Sequence, residues 1–349
     1  TVEKIDFTNS KVTALQNIAL INFNQGNDER AAELLDKAVN AAEEIEHDEE
    51  KIRAFYEIGN QFSEIKRNDK AIQALDKAKL NAEELDNAHR DAFLANIAHG
   101  FLKAGSVELA DRTLDLVIDK TQISNSLAAF SQEFWAKGEK DEALEALEES
   151  HAILKSQTEK ETRDSRARLQ LFATIAVLFA RFEKPERALE IAQENEDENE
   201  RQSALSQIAQ IFVMQGKDEL AHQTIKAIGE DSQRLFALIG LSDVESKQNK
   251  KDKAVEFLTE AAQLAETIQQ FSVRSSAFIQ LAARFHELGE KNKAREILTE
   301  NLQVINQIRD QVARTVSLAN LSDQYNNLEI KYSEEELQIL KKMVRETAR

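Results

Sequence analysis

The chain has 349 residues, and its 63 Asp and Glu against 45 Lys and Arg give a net charge of −18. A surface with that charge repels phosphate groups, which disfavours nucleic acids and anionic membranes as partners. The absence of Cys excludes disulfides and thiolate chemistry. Nine Gly and one Pro supply too few turns for a sheet protein, so we predict an all-α fold.

No run of about 18 apolar residues occurs, so no segment is predicted to span a membrane. The first residues lack both the apolar stretch of a signal peptide and an initiator Met. We therefore expect a cytoplasmic protein. The alternatives are a secreted or periplasmic mature form, and a module of a larger protein.

A helix, a short turn and a second helix recur along the chain, most clearly over residues 276–298. The second helix of each unit opens with an alanine, which we call the anchor. The eight anchors are Ala31, Ala71, Ala110, Ala143, Ala188, Ala221, Ala254 and Ala294, spaced by 40, 39, 33, 45, 33, 33 and 40 residues. This recurrence predicts a stack of helical hairpins.

The residues before each anchor follow one pattern. A large apolar residue lies sixteen and thirteen positions before it, and a small residue lies twelve before it. Nine positions before it, six of the eight residues are Phe, and the exceptions are Asn22 and Glu245. Large residues at this spacing form one helical stripe, in which a small residue lets the partner helix approach closely. Because Phe23 and Val244 adjoin the exceptions, we expect a one-residue change in those two turns.

Glycines and one proline mark the hairpin turns. A glycine suits the left-handed position that ends many helices, and proline suits the first turn of a helix. Pro185 is therefore predicted to begin the second helix of the fifth unit. The glycines predicted to end first helices are Gly26, Gly105, Gly138, Gly216 and Gly289.

This arrangement of large, small and aromatic residues resembles the tetratricopeptide repeat family over residues 11–301. The resemblance implies an α-solenoid, a right-handed superhelix of about eight hairpins. Two features depart from the family. The Pro at the repeat end is missing, and several repeats exceed the usual length of about 34 residues. The extra residues follow the anchor, at 36–48, 76–88 and 145–163, and predict longer second helices.

We predict one elongated array over residues 1–349, with repeats at about 11–308 and capping helices at 309–349. Residues 1–9 form a short lead-in in this prediction. Ser333 and Glu336 have the spacing of a capping box, which would open a last helix over residues 334–347. The acidic run at 194–200 is predicted to be a hydrated junction between helices.

The sequence shows no constellation typical of catalysis. No pair among its six His has the spacing of a helical zinc motif, and no phosphate-binding loop or nucleophile elbow is present. We therefore predict a protein that is not an enzyme and that needs no cofactor or metal.

First helices line the inner surface of such a stack, so their side chains off the packing stripe are predicted to form a partner-binding groove. An apolar strip rimmed by amides is typical of an interaction site for a peptide or partner helix. The alternative is that these side chains pack against neighbouring repeats. The predicted groove residues are Tyr56, Asn60, His99, Lys103, Gln132, Trp135, Gln170, Val177, Arg181, Gln210, Val213, Phe236, Ile239 and Ile279.

Some relatives of the tetratricopeptide family clamp a chaperone's C-terminal carboxylate with Lys and Asn. The corresponding positions here hold Tyr56, Asn60, Asn96, Asn125 and Ala129, so two Asn match but every cation is missing, and we do not expect that ligand. We predict a non-catalytic scaffold for a protein or peptide partner. The alternatives are a regulatory or sensor module of a larger protein, and a structural protein that self-associates.

Overall fold

The computed structural model describes residues 8–86, 89–157 and 165–347. Every regular element among these residues is an α-helix and none is a strand, which confirms the all-α prediction. The chain forms two compact units, Thr1–Phe182 (unit 1) and Glu183–Arg349 (unit 2), each described by itself. A single array over residues 1–349 stays a prediction. Residues 1–7 of the predicted lead-in lie outside the described residues.

First and second helices of the hairpins alternate along the chain in both units. Those of unit 1 are α1 (Thr8–Asn24), α2 (Asp28–Ala42), α3 (Asp48–Glu64), α4 (Asn68–Glu83), α5 (Arg90–Lys103), α6 (Val107–Leu114), α7 (Lys120–Lys137), α8 (Lys140–Lys155) and α9 (Ser165–Arg181). Those of unit 2 are α10 (Pro185–Glu194), α11 (Glu198–Met214), α12 (Asp218–Lys226), α13 (Asp231–Lys247), α14 (Lys251–Thr267), α15 (Phe271–Glu287), α16 (Lys291–Asn306), α17 (Gln311–Asn327) and α18 (Glu334–Thr347). Pro185 begins α10, as predicted.

Consecutive helices pack as hairpins within each unit. In unit 1 the pairs are α1–α2, α3–α4, α5–α6 and α7–α8, and in unit 2 they are α11–α12, α13–α14 and α15–α16. The odd-numbered first helices also contact the first helices of the adjoining hairpins, from α1 to α9 and from α11 to α17. These contacts confirm the stacked hairpins of an α-solenoid. The predicted superhelical hand stays a prediction.

The repeated small and aromatic residues form the core of each hairpin. All eight anchor alanines are 0% exposed, and the six Phe nine positions before an anchor are buried. Gly59 shows how closely the helices approach, because a Cβ added there would lie 2.7 Å from Cγ of Leu75. A fully buried Phe contributes about 1.5–3 kcal/mol relative to an exposed one, so these contacts dominate the stability of a hairpin.

Every hairpin turn places the residue five positions before the anchor in the left-handed region. The five predicted glycines have φ between 74° and 85°. Three further turns use Lys66, Glu183 and Asn249, with φ between 59° and 61°. Glu329, with φ 54°, marks a ninth turn of the same kind between α17 and α18.

The prediction of a shifted turn at Asn22 and Glu245 is wrong. The amide of Lys250 donates to the Glu245 carbonyl at 2.9 Å, and the amide of Asn27 donates to the Asn22 carbonyl at 2.9 Å. The corresponding bond joins Lys217 to the carbonyl of Phe212 at 2.8 Å. Because the backbone register is the same, Glu245 itself occupies the aromatic position, where it is 0% exposed.

The length of the second helix follows the length of the repeat. The long repeats contain α2, α4, α8, α14 and α16, which have 15 to 17 residues. The short repeats contain α6, α10 and α12, which have 8, 10 and 9 residues. The prediction that extra residues lengthen the second helix is therefore confirmed, although residues 87–88 and 158–163 lie outside the described part.

An arginine closes each junction between a second helix and the next first helix in unit 2. At the first three of these junctions it lies twenty positions before the anchor, and at all four it donates to a carbonyl six residues earlier, which lacks a partner within its own helix. These bonds join Arg201 to Asn195 (2.7 Å), Arg234 to Ile228 (3.3 Å), Arg274 to Ile268 (2.8 Å) and Arg314 to Ile308 (2.9 Å). The acidic run at 194–200 is such a junction, but Asn195 within it is buried rather than hydrated.

The capping box before α18 is confirmed. The Glu336 amide donates to Oγ of Ser333 at 3.2 Å, and the Ser333 amide donates to Oε2 of Glu336 at 2.6 Å. The same carboxylate accepts the hydroxyls of Tyr325 at 2.9 Å and Thr299 at 2.6 Å, and pairs with Arg295 at 3.1 Å. Glu336 therefore attaches α18 to both α16 and α17.

Candidate functional site

Polar contacts at equivalent sequence positions join adjacent first helices. In unit 1, Nε2 of His99 on α5 lies 3.3 Å from Oε1 of Glu133 on α7. In unit 2, Nε of Arg284 on α15 donates to Asp243 on α13 at 2.7 Å. Both contacts join the residue eleven before one anchor to the residue ten before the next. The side of a first helix that points toward the next repeat is therefore an inter-repeat seam.

Three residues of the predicted groove are buried, so the prediction that they face a partner is wrong. Val177, Val213 and Ile239 have 7%, 0% and 4% of their surface exposed. In unit 2 the reason is that α11, α13 and α15 contact one another side by side, so side chains between them are covered. An apolar strip that includes these three residues is therefore not available to a partner.

The other predicted residues keep some exposure. Lys103, Gln132, Gln170, Arg181 and Phe236 are exposed. The half-buried ones are Tyr56, Asn60, His99, Trp135, Gln210 and Ile279. Whether any of them binds a partner stays a prediction.

A different set of positions carries most of the exposed side chains on the first helices. They lie eighteen, fourteen and seven residues before the anchor, and we call this surface the open face. In unit 1 it consists of Thr13, Asn17, Asn24, Arg53, Glu57, Glu64, Ala92, Asn96, Lys103, Asn125, Ala129, Ala136, Gln170, Thr174 and Arg181, of which all but the half-buried Ala92 and Ala129 are exposed. Five of these residues are Asn or Gln. With three cations and two carboxylates, the surface contrasts with the net charge of −18 for the chain.

Lys103, Gln170 and Arg181 on this open face belong to the predicted site, whereas Asn17 and Asn96 do not. The signal that could have found them is the absence of large apolar residues fourteen positions before the anchor. The residues there are Asn17, Glu57, Asn96, Ala129, Thr174, Gln207, Gly240 and Gln280.

Trp135 lies at the C-terminal end of α7 between two other side chains. Its ring stacks on Phe182 with centroids 4.4 Å apart and planes inclined by 11°. The ammonium of Lys140 lies 4.8 Å from the centre of the Trp135 ring. The alternative that predicted groove side chains pack within the protein therefore holds for the face of Trp135 against buried Phe182. The residue as a whole remains half-buried.

The electrostatic surroundings of His99 favour its neutral form. Burial lowers the pKa of the imidazole, and the nearby ammonium of Lys103 lowers it further, while Glu133 acts in the opposite direction. A neutral imidazole beside Glu133 can donate one hydrogen bond, so this seam contact does not require a charged histidine.

Among the residues in the described ranges, no group of three or more His, Asp or Glu side chains has the geometry to hold a metal ion. No helix in those ranges is long and apolar enough to cross a bilayer.

Residues 12–46, which cover α1, α2 and the following junction, match the model of a tetratricopeptide repeat family. The same turn geometry and core pattern recur along the chain, which is therefore a tetratricopeptide-like helical repeat protein. A comparison with curated proteins found no match.

Several solved structures of low sequence identity resemble the chain. Ton1535 from Thermococcus onnurineus NA1 is 15% identical, with 92% of this chain and 93% of that chain covered and a TM-score of 0.39. The apo quorum sensor NprR from B. thuringiensis is 14% identical, with 99% and 90% covered and a TM-score of 0.31. A Rap protein complexed with Competence and Sporulation Factor is 16% identical, with 92% and 99% covered and a TM-score of 0.32. At these TM-scores the likeness carries no argument about function.

Proposed function

We propose that this protein is a non-catalytic interaction module that binds an extended peptide segment of a partner across the open face of unit 1. The observation that carries the proposal is the set of five exposed amide side chains on α1, α5, α7 and α9, which are four of the five first helices of unit 1. An amide side chain can both donate to and accept from the peptide groups of a ligand, independently of the ligand's sequence. The tetratricopeptide-like repeats agree with this role.

The spacing of the first helices matches the length of an extended peptide. Adjacent helices lie about 8–10 Å apart, and an extended peptide advances about 3.3 Å per residue. One first helix therefore meets about every third residue of the ligand. The five first helices of unit 1 correspond to a segment of roughly a dozen residues on this spacing.

Charge supports a peptide rather than a nucleic acid as the ligand. The open face of unit 1 has three cations and two carboxylates, which is too little positive charge to offset an overall −18 against a phosphate backbone. Peptide groups are neutral, so amides bind them without that repulsion.

The test is selection from a random dodecapeptide library displayed on phage, using the full chain as bait. We expect selected peptides to lose about tenfold or more in affinity for a variant with Asn96→Ala, Asn125→Ala and Gln170→Ala. The loss has that size because each amide contributes on the order of 1 kcal/mol in hydrogen bonds. Calorimetric titration of the synthetic peptides measures it.

Asn40→Ala is the matched control, because Asn40 is an exposed amide on the second helix α2. This variant is expected to bind like the native chain. Failure to select any peptide would contradict the proposed function, and equal binding by the triple variant would contradict the proposed surface.

A further inference from the structure

One part of unit 1 concentrates positive charge around the single tryptophan of the chain. Lys103, Ala136 and Arg181 hold the same position, seven residues before the anchor, on the adjacent helices α5, α7 and α9. Lys137 follows Ala136, and its ammonium lies 3.5 Å from the carbonyl of Leu102, next to Lys103. Lys103, Lys137 and Arg181 therefore lie at the C-terminal ends of three neighbouring helices.

Trp135 lies among these cations. Its ring contacts the ammonium of Lys140 on one side and Phe182, the neighbour of Arg181, on the other. We call Trp135, Lys103, Lys137, Lys140 and Arg181 together the Trp135 patch. All five side chains belong to unit 1, and the four cations are exposed.

The four cations of the patch make no ion pair among the described residues, whereas many other Lys and Arg of unit 1 do. Lys70 pairs with Asp36 at 2.6 Å, and Lys79 pairs with Glu83 at 3.2 Å. The nearest carboxylate on α7, that of Glu133, contacts His99. Glu139, Asp141 and Glu142 adjoin Lys140 in the sequence, but Lys140 lies over the Trp135 ring instead.

We propose that the Trp135 patch selects acidic peptide segments, so that the partner bound on the open face carries Asp or Glu where it crosses α5, α7 and α9. This inference rests on the proposed peptide-binding function and adds the charge of the ligand to it. Four cations that pair with no carboxylate of the described ranges, in a chain of net charge −18, are complementary to the carboxylates of a ligand. Charge-assisted hydrogen bonds from Lys and Arg are stronger than those between neutral groups.

The patch also provides a direct readout of binding. Trp135 is the only tryptophan, and a ligand carboxylate that pairs with Lys140 would draw the ammonium away from the indole ring. The emission of Trp135 is therefore expected to change on binding of an acidic peptide, and to change less with a peptide in which Asp and Glu are replaced by Asn and Gln.

The experiment compares the dodecapeptides selected by the native chain with the starting library. We expect the selected peptides to be enriched in Asp and Glu. Their affinity should fall about tenfold or more for a variant with Lys103→Gln, Lys137→Gln and Lys140→Gln, and should weaken as NaCl is raised from about 50 to 300 mM. Glutamine keeps most of the side-chain length, so the change isolates the charge.

A variant with Lys37→Gln, Lys66→Gln and Lys120→Gln is the matched control. It removes the same three charges from exposed lysines elsewhere in unit 1 and should bind like the native chain. Equal loss in both variants would show a general effect of net charge and would overturn the assignment to the patch.

The remaining outcomes separate this inference from the function on which it rests. Selected peptides without acidic enrichment, or with full affinity for the charge variant, would overturn the inference and leave the proposed function standing. Recovery of no peptide would overturn both. Displacement of the peptide by a single-stranded oligonucleotide at equal concentration would assign the patch to nucleic acid and would also overturn the inference.

Discussion

Four hairpin turns hold a residue with a side chain in the left-handed backbone region, where glycine is preferred. They are Lys66, Glu183, Asn249 and Glu329, with φ between 54° and 61°. A non-glycine residue there has its Cβ close to the following carbonyl oxygen, at a cost of roughly 1–2 kcal/mol. Each of these turns therefore forms because the packing of the two helices outweighs the local cost.

Lys66→Gly should stabilise unit 1. The change removes the left-handed strain but increases the entropy of the unfolded chain, so the expected net gain is about 0.5–1 kcal/mol. The midpoint of urea unfolding, followed by circular dichroism, measures it. Lys37→Gly, within the helix α2, is the control and should cost about 1 kcal/mol instead. A lower midpoint for Lys66→Gly would contradict this account.

Glu245 is another residue whose chemical character conflicts with its position. It is 0% exposed at the place where six other repeats have Phe, and its carboxylate lies 3.3 Å from the ammonium of Lys250. The side chain of Lys250 is 38% exposed, and neither oxygen of the Glu245 carboxylate has a hydrogen-bond partner among the described residues. Exchange of this carboxylate for an apolar side chain removes the cost of its lost hydration.

We expect Glu245→Phe to stabilise unit 2 by about 1–3 kcal/mol, measured as a shift in thermal or urea unfolding. The reverse change in the preceding repeat, Phe212→Glu, should destabilise unit 2 by about 1–3 kcal/mol, because it replaces a buried ring by a carboxylate whose partner would be Lys217, at the position that Lys250 has beside Glu245. If Glu245→Phe proved destabilising, Glu245 would have a role that the packing of its hairpin does not explain.

At the scale of the element, α18 depends on one carboxylate. Burial by itself would raise the pKa of Glu336, but bonds from Thr299, the Ser333 backbone and Tyr325, together with the charge of Arg295, lower it on balance. A carboxyl whose pKa is lower in the folded state stabilises that state above its unfolded pKa. This stabilisation is lost as the pH falls through the folded value.

We therefore expect α18 to detach on acidification below the ordinary Glu value of 4.5, before the hairpins of unit 2 unfold. Pulsed hydrogen exchange should show loss of protection in α18 first. Glu336→Gln should detach α18 at neutral pH, because a neutral amide cannot replace the carboxylate that pairs with Arg295. Glu335→Gln, an exposed neighbour in the same helical turn, should leave α18 in place. Simultaneous loss of protection in α16 and α18 would contradict the prediction.

At the scale of the whole molecule, the two compact units each have a core of their own. In a repeat protein each hairpin contacts only its neighbours, so cooperativity need not extend along the entire chain. The two units therefore have no physical reason to unfold at the same temperature.

The position of the single tryptophan allows a test of independent unfolding. Trp135 lies in unit 1, whereas far-ultraviolet circular dichroism reports the helices of both units. We expect the fluorescence transition of Trp135 and the dichroism transition to have different midpoints during thermal unfolding. Coincident transitions, with equal calorimetric and van't Hoff enthalpies, would show instead that the chain unfolds as one cooperative body.

The sequence by itself determined the repeat. Each hairpin is a local structure, so the 0% exposure of Ala98 and Ala282, the left-handed Gly138 and the Ser333 capping box all follow from patterns within about 30 residues. The longer second helices were predictable for the same reason. The local pattern of apolar residues determines the apolar face of each helix, and that face determines how the two helices of a hairpin pack.

Only the tertiary structure decided which side of each first helix remains open. The angle at which one hairpin stacks on the next depends on contacts between repeats, which a pattern within one repeat does not contain. That angle places Val213 and Ile239 in the seams and leaves Asn96 and Gln170 exposed. It also explains why the predicted groove was partly wrong. A rotation of roughly 100° per residue means that an error of one position moves a side chain from the open face into the seam.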